Sequence, residues 1–257
     1  MTKLRLDKLL VERGLVGSRE RAQALILAGK VLVNEQKIEK SGAAVEQDSQ
    51  IRLLAEDLKY VSRGGLKLER ALQHWSIDVR GRTCLDVGAS TGGFTDCLLQ
   101  HGAARVVAVD TGYGQMDFRL RNDSRVRLLE KTNARYLTPA MIAEPVSFVA
   151  MDVSFISATL VLPAVLASTF HAEETDWPHP ASAASSRDLI VLVKPQFEAG
   201  RDEVGKGGIV RDQAAQVAAL ERVRQCVLDL GSSSTDSVDS PILGTEGNRE
   251  FLLYGKF

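Results

Sequence analysis

From Thr83 onward the sequence alternates apolar runs with segments of helical period. They are "TCLDVGA", "TDCLLQHG", "RVVAVD", "RVRLLE", "PAMIAE", "SFVAMD", "ATLVLPAVLASTF", "DLIVLVKP" and "QAAQVAALERVRQCVLDLG". Apolar strands that alternate with helices imply a parallel sheet covered on both faces. In such a sheet a ligand sits beyond the carboxyl ends of the strands, where the strand order switches. The stretch "CLDVGASTGG", Cys84 to Gly93, lies at such an end. Its strand is expected to stop at Asp86. Gly88 then allows a turn at positive φ, and Gly92 and Gly93 leave the backbone open to a ligand where the next helix begins. The turn is neither GxGxxG, which disfavours NAD and FAD, nor GxxxxGK[ST], which excludes a P-loop. The second strand, "VVAVD", ends in Asp110, 24 residues after Asp86. An acid there can accept both hydroxyls of a ribose.

What the turn resembles is the D-x-G-x-x-x-G-G pattern of S-adenosylmethionine (SAM) methyltransferases. The later strand ends argue about the nucleophile. Enzymes that methylate amines carry D/N-P-P-Y/F after the fourth strand. Here "AMDVSF" has no proline after Asp152, which argues against base amines. The fifth strand ends "VLVKPQFE", with Lys194 behind a run of apolar residues. Structure alone gives little reason to bury an amine at a strand end. Pro195 also keeps Lys194 extended, aimed at the ligand edge.

The N-terminal residues read differently. Leu4, Leu9, Leu10 and Leu15 recur at roughly helical spacing. A second helix is expected after Gly17, with Ser18 as N-cap and Gly29 as terminator. "KVLVN" then reads as a strand, "NEQK" as a turn and "QIRLL" as the returning strand. Residues 1–40 hold nine Lys/Arg against five Asp/Glu, whereas the whole chain has a net charge of −1. The segment from Arg5 to Val45 resembles the S4 RNA-binding domain, through Arg5-Leu6-Asp7, Ser18-Arg19, Ala22, Ile26, Gly29-Lys30-Val31 and Val33-Asn34. The resemblance implies a helix pair that presents Arg5, Lys8, Arg19, Arg21 and Lys30 to the phosphates and shape of folded RNA. Asp7 falls in an Arg-Leu-Asp triplet like the catalytic one of pseudouridine synthases. It opens the first helix, so a structural role at that terminus accounts for it.

Composition limits the remaining classes. With 44% hydrophobic and 25% charged residues the chain reads as an ordinary globular protein. Cys84, Cys97 and Cys226 are scattered, with no CxxC pair. That pattern suits a reducing cytoplasm and no structural zinc. A metal role for His171 and His179, in a polar stretch from His171 to Arg187 expected to form a long loop, is disfavoured. The amphipathic N-terminus is not a signal peptide. No apolar run reaches the ~18 residues that would span a bilayer.

Two further residues, Lys67 and Glu250, complete a set. Lys67 in "VSRGGLKLERAL", Asp152, Lys194 and Glu250 in "GNREF" match the K-D-K-E tetrad of FtsJ-type RNA 2′-O-methyltransferases. Their surroundings, "YVSRGGLKL", "DVGASTGGFTDCLLQ", "VDTGYGQM", "TNAR", "DVSFIS", "VKPQFEAGR", "GGIVRD" and "GNREF", together resemble the TlyA family, which joins an S4 domain to an FtsJ-like domain. That resemblance implies an α/β fold: a Rossmann-like methyltransferase domain, mostly parallel with a last antiparallel strand, behind a small α+β S4 domain. Its expected boundaries are 1–59 for the S4 part, 60–82 for a linker with the helix carrying Lys67, and 83–257 for the methyltransferase. It implies cofactor contacts at Asp86, Gly88, Ser90, Gly92, Gly93, Phe94, Asp110, Asn133 and Asp152. It assigns catalysis to Lys67, Asp152, Lys194 and Glu250. The expected partner is ribosomal RNA or a ribosomal subunit, with no metal and no membrane. The reaction would be SAM-dependent 2′-O-methylation of cytidine in helix 69 of the large-subunit rRNA. Longer family members carry terminal extensions and also modify the small subunit. This sequence leaves no room for an added C-terminal helix, so large-subunit activity alone is expected. Two alternatives stay open: an RNA-binding protein with an inactive methyltransferase fold, and a membrane-active haemolysin, a label traditional for the family.

Overall fold

The computed structural model describes residues 3–54, 59–170, 186–244 and 247–257. His171 and His179 lie outside them. The chain divides into two compact units, 1–58 and 59–257.

The small unit runs β1 (Lys3–Arg5), α1 (Leu6–Glu12), α2 (Arg19–Leu27), β2 (Val31–Val33), β3 (Gln36–Lys37), β4 (Ala44–Glu46) and β5 (Ile51–Leu53). Leu6, Leu9 and Leu10 on α1 pack with Ala22, Leu25 and Ile26 on α2 over Val31 and Val33. Ser18 caps α2 by accepting the Arg21 amide at 3.2 Å. Gly29 ends it at φ +66°, where a Cβ would stand 2.1 Å from Lys37 Cε. Two readings change here. Leu4 belongs to a strand rather than the first helix, because residues 3–5 pair antiparallel with Ala44–Glu46. The segment "NEQK" is half turn and half strand. Asn34 and Glu35 take positive φ (50° and 63°), and Gln36–Lys37 then pair with Leu32 and Val33. Two successive left-handed residues are what a two-residue hairpin needs to follow strand twist.

The large unit begins with α3 (Gly64–His74), whose Leu68, Ala71 and Leu72 are buried. The helix carrying Lys67 packs into the core of this unit. There follow β6 (Thr83–Val87), α4 (Gly93–Gln100), β7 (Arg105–Val109), α5 (Phe118–Arg121), β8 (Val126–Leu129), α6 (Pro139–Ile142), β9 (Phe148–Met151), α7 (Leu162–Ala167), β10 (Asp188–Val193), α8 (Pro195–Glu198), α9 (Gln213–Asp229), β11 (Ser234–Asp239) and β12 (Phe251–Lys256). The sheet order is β11-β12-β10-β9-β6-β7-β8. Pairs among β6–β10 are parallel, and β12 is antiparallel to both β10 and β11. Thus β12 alone runs against the other six. Alternate side chains of each strand point to opposite faces. Leu85, Val107, Val149 and Val191 pack with α7 and α9 on one face, and Cys84, Val106, Phe148 and Ile190 with α3 and α4 on the other. The order switches at β6, which lies between β9 and β7. The turns after β6, β9 and β10 are neighbours at that crevice.

Candidate active site

The turn after β6 is built by steric exclusion. Gly88 sits at φ +88°, and a Cβ there would meet the Asp152 carbonyl oxygen at 2.2 Å. The turns after β6 and β9 touch at this point, and only glycine fits. Gly92 and Gly93 also make room for packing. Gly92, at φ +94°, leaves the space that Leu120 Cδ1 fills, 2.4 Å from an ideal Cβ. Gly93 does the same for Ser62 Oγ, at 2.2 Å. Their missing side chains serve the packing of the start of α4 against its neighbours, although Gly93 also lines a cavity.

That cavity, of about 320 Å³, is lined by Lys67, Asp152, Lys194 and Glu250 together with Ser62, Arg63, Ser90 and Phe94. Lys67, on α3, pairs with Glu250 Oε2 at 2.5 Å, across 183 residues of sequence. Glu250 is 3% exposed and directly precedes β12. Its carboxylate fills the space above Gly244, where a Cβ would lie 2.1 Å from Oε1. Lys194 follows β10; its Nζ is 2.6 Å from Asp152 Oδ1 and donates to Ser154 Oγ at 2.8 Å. The structure thus sorts the four residues into two lysine–carboxylate pairs on one cavity wall. Each carboxylate fixes the direction of its lysine at the cavity.

A second cavity, of about 490 Å³, shares Gly88, Ser90 and Asp152 with the first and adds Asp110, Gly112, Gln115, Asn133 and Phe155. Asp110 accepts the Ser90 amide at 2.7 Å on one oxygen and the Gly112 amide at 2.6 Å on the other. A carboxylate offers about four lone-pair sites, so each oxygen keeps one for a ligand. Asn133 Oδ1 accepts the Arg135 amide at 3.1 Å and caps a short 3₁₀ turn. Asp86 is 0% exposed and lines neither cavity. Its Oδ2 accepts from Thr95 Oγ1 at 2.6 Å, its Oδ1 has no partner, and burial pushes its carboxyl up to about 7.

In the small unit, Arg5 and Arg19 converge on one acid. Asp7 is 0% exposed and accepts from Arg5 Nε at 3.0 Å, Arg5 Nη2 at 2.9 Å, Arg19 Nε at 3.1 Å and Gln23 Nε2 at 2.9 Å. The Arg5 bonds, foremost, hold its carboxyl well below the usual carboxylate range. Asp7 is thus a clamp for two guanidinium groups rather than a helix cap. Lys8 and Lys30 are exposed and Arg21 is half-buried.

Sequence reasoning missed Ser62, Arg63, Ser154, Gln115 and Phe155. Arg63 and Ser154 each sit a few residues from a tetrad member, in "SRGGLK" and "DVSF", so proximity was an available signal. Gln115 lies in the motif "VDTGYGQM", but only the fold of the 111–117 loop brings it to the turn after β6, where it accepts from Ser90 Oγ at 3.3 Å. Among the described residues, no cluster of His, Cys, Asp and Glu could hold a metal ion.

Comparison with known proteins agrees with this geometry. Residues 60–257 match the model of the FtsJ-like methyltransferases, and residues 4–51 that of the S4 domain. A candidate rRNA methyltransferase of Bacillus subtilis, YqxC, is 45% identical over 98% of this chain and 85% of its own length. The 16S/23S rRNA (cytidine-2′-O)-methyltransferase TlyA of Mycobacterium tuberculosis is 43% identical over 97% of this chain and 88% of its own. The solved structure of a candidate hemolysin from Streptococcus thermophilus superposes with a TM-score of 0.70 at 41% identity, covering 100% of this chain and 89% of that one. With its matched methyltransferase domain spanning well over half of its residues, this chain belongs to the FtsJ-like methyltransferase family, and an S4 domain precedes the catalytic unit.

Proposed function

We propose that this protein transfers a methyl group from SAM to the 2′-hydroxyl of a cytidine in ribosomal RNA, in helix 69 of the large subunit. One observation carries the reading: two lysine–carboxylate pairs line a cavity that shares Gly88, Ser90 and Asp152 with the cavity beneath Asp110. The second cavity suits the cofactor. At about 490 Å³ it falls in the ~300–1,000 Å³ range of small-molecule sites. Its polar groups are few and convergent, and Asp110 retains acceptor capacity on both oxygens. Asp110, Asn133 and the backbone from Gly88 to Ser90 would hold SAM. When bound, SAM supplies an electrophilic methyl on a sulfonium.

The chain's own residues do the rest. Lys194, fixed by Asp152 and Ser154, meets the ribose hydroxyl and either stabilises its alkoxide or takes its proton. Positioned proton transfer of this kind contributes ~10²–10⁴-fold. Lys67, fixed by Glu250, adds a second positive charge at the same wall. Holding the hydroxyl in line for attack can supply ~7–11 kcal/mol. Arg5, Lys8, Arg19, Arg21 and Lys30 bind RNA phosphates and leave the chemistry to the large unit. A ribosomal substrate places the work in the cytoplasm.

The test is methyl transfer from labelled SAM to purified large and small subunits, separately. Stoichiometric 2′-O-methylcytidine in the large subunit is expected, and none there would remove the reading. The name of the M. tuberculosis relative favours a second reading in which 16S rRNA is also a substrate, and the small-subunit arm decides between them. A SAM titration by calorimetry separates both from an inactive methyltransferase fold. Among the described residues, no helix is long and apolar enough to cross a membrane.

A further inference from the structure

Glu198 is a buried carboxylate that the tetrad does not explain. It closes α8, four residues after Lys194, and is 6% exposed. Its Oε1 accepts the Ala158 amide at 2.7 Å and its Oε2 accepts from Ser157 Oγ at 2.5 Å. No ion pair with its carboxylate is found among the described residues. Arg222, on α9, bonds the Glu198 main-chain carbonyl instead. Burial therefore pushes this carboxyl upward. A carboxylate out of water and held by neutral donors is costly, and what offsets the cost is the pair of donors it satisfies on the neighbouring segment.

The bonds join the two segments that carry the reactive pair. Residues 152–158 leave β9 and hold Asp152 and Ser154. Residues 194–198 leave β10 and hold Lys194. On the cavity side, Lys194 reaches Asp152 and Ser154. Midway, the Phe155 and Phe197 rings lie 5.4 Å apart. On the far side, Glu198 holds Ser157 and Ala158. Phe155 has φ +64°, a strained backbone for an aromatic residue, and is 92% exposed, so its own packing does not fix the segment. The Glu198 bonds lie directly beyond this strained point.

We infer that Glu198 is a positioning residue that keeps the 152–158 segment in register, so that Asp152 and Ser154 meet the Lys194 ammonium. It touches neither substrate nor cofactor, and the inference rests on the methyl-transfer reading of the site. Arg222 anchors the main chain of residue 198 to α9, and the side chain transmits that anchorage to the neighbouring segment. Two donors converge on the group, and a carboxylate supplies an acceptor for each.

The experiment compares Glu198→Ala, Glu198→Gln and Ser157→Ala in the full chain, well below the melting temperature. A displacement of order 1 Å at a reacting group costs up to ~10²-fold. Glu198→Ala is expected to lower kcat by tens of fold, with KM for rRNA and the Kd for SAM within about twofold of wild type. Glu198→Gln keeps an acceptor for the Ala158 amide and should recover most of kcat. Ser157→Ala should show a smaller fall in the same direction, and it stands in if Glu198→Ala does not fold. A kcat unchanged in both Ala variants overturns the inference. So does a loss shared equally between kcat, KM and Kd, which marks general damage. The labelling rate of Lys194 by an amine-specific reagent, mapped by mass spectrometry, gives a readout without substrate. It should rise in Glu198→Ala while that of Lys256 stays constant. If wild type methylates no rRNA but this rate rises, the function reading fails and the positioning role stands. If it does not rise, the positioning role fails.

Discussion

Asp7 in the small unit and Asp86 in the large one are both buried to 0% exposure, and their surroundings treat them in opposite ways. Asp7 receives four hydrogen bonds from two guanidinium groups and an amide, which hold its carboxyl far down. Asp86 receives one side-chain bond, from Thr95, and burial raises it to about 7. Its second oxygen is unpartnered. The small unit completes its buried charge internally and spends the exposed edges of Arg5 and Arg19 on whatever lies outside. The large unit leaves acceptors open at and behind the turn where two cavities meet. A region that binds by its surface can close its interior, whereas the large unit leaves Asp86 half-satisfied behind the turn and Asp110 with acceptor capacity at the cavity.

The comparison can be broken in four places. The largest effect is expected from Lys194→Ala, which should lower single-turnover methylation by ~10²–10⁴-fold. Calorimetry should find SAM affinity near wild type, and comparable turnover in the two proteins would remove Lys194 from the mechanism. Next comes pH. Asp86 is raised in the folded state, so its contribution to stability is fully present below the unfolded value of ~4 and is lost as pH rises toward about 7. Asp7 is depressed, so its contribution is present above ~4 and is lost only as pH falls through its lower folded value. Asp86→Asn should flatten the decline in stability between pH 4 and 7, a difference on the order of 4 kcal/mol. An identical pH profile in the variant would show that Asp86 is ionised throughout.

Asp7→Ala should cost about 2 kcal/mol, below the ~3–5 kcal/mol of a fully buried pair, because Arg5 and Arg19 are half exposed. Denaturation of the full chain reads the loss, together with weaker rRNA binding and an unchanged Kd for SAM. A parallel loss of SAM binding would mean that the two units do not work separately. The smallest effect belongs to Thr95→Val. It deletes one hydrogen bond, worth about 1 kcal/mol, to an acid that burial already drives toward its neutral form. A much larger midpoint shift would show that Asp86 is ionised at neutral pH and depends on that donor.

Much of this was legible in the sequence, for a physical reason. Strands buried on both faces are mostly apolar, so β7, β9 and β10 stand out as apolar runs, and β6 does so despite its buried Asp86. By contrast β11, "STDSVD", pairs on one side only and needs no such run, so nothing in its composition announced it. The short strand of residues 3–5 was equally hidden, because its partner lies some forty residues away. Within the site, the tetrad and Asp110 could be named from motifs and strand ends. The pairing of Lys67 with Glu250, and the role of Glu198, depend on which strands become neighbours. At Gly92 one missing side chain serves equally for ligand approach and for packing, and the packing against Leu120 could not be read from the sequence.

The reversed strand β12 has a consequence for how the protein is made. Strands β6 to β10 find their parallel partners among themselves, so that part of the sheet can pair before β12 is synthesised. Yet β11 pairs only with β12, and Glu250, next to β12, is the partner that Lys67 waits for. A nascent chain that has emerged as far as β10 would hold Lys194 and Asp152 but leave Lys67 without its carboxylate. The cavity wall that holds the tetrad is assembled last, by a contact between opposite ends of the unit. Such long-range closures are slow steps in folding. A protein proposed to modify ribosomes would thus be catalytically blank for most of the time it spends attached to the one that is making it.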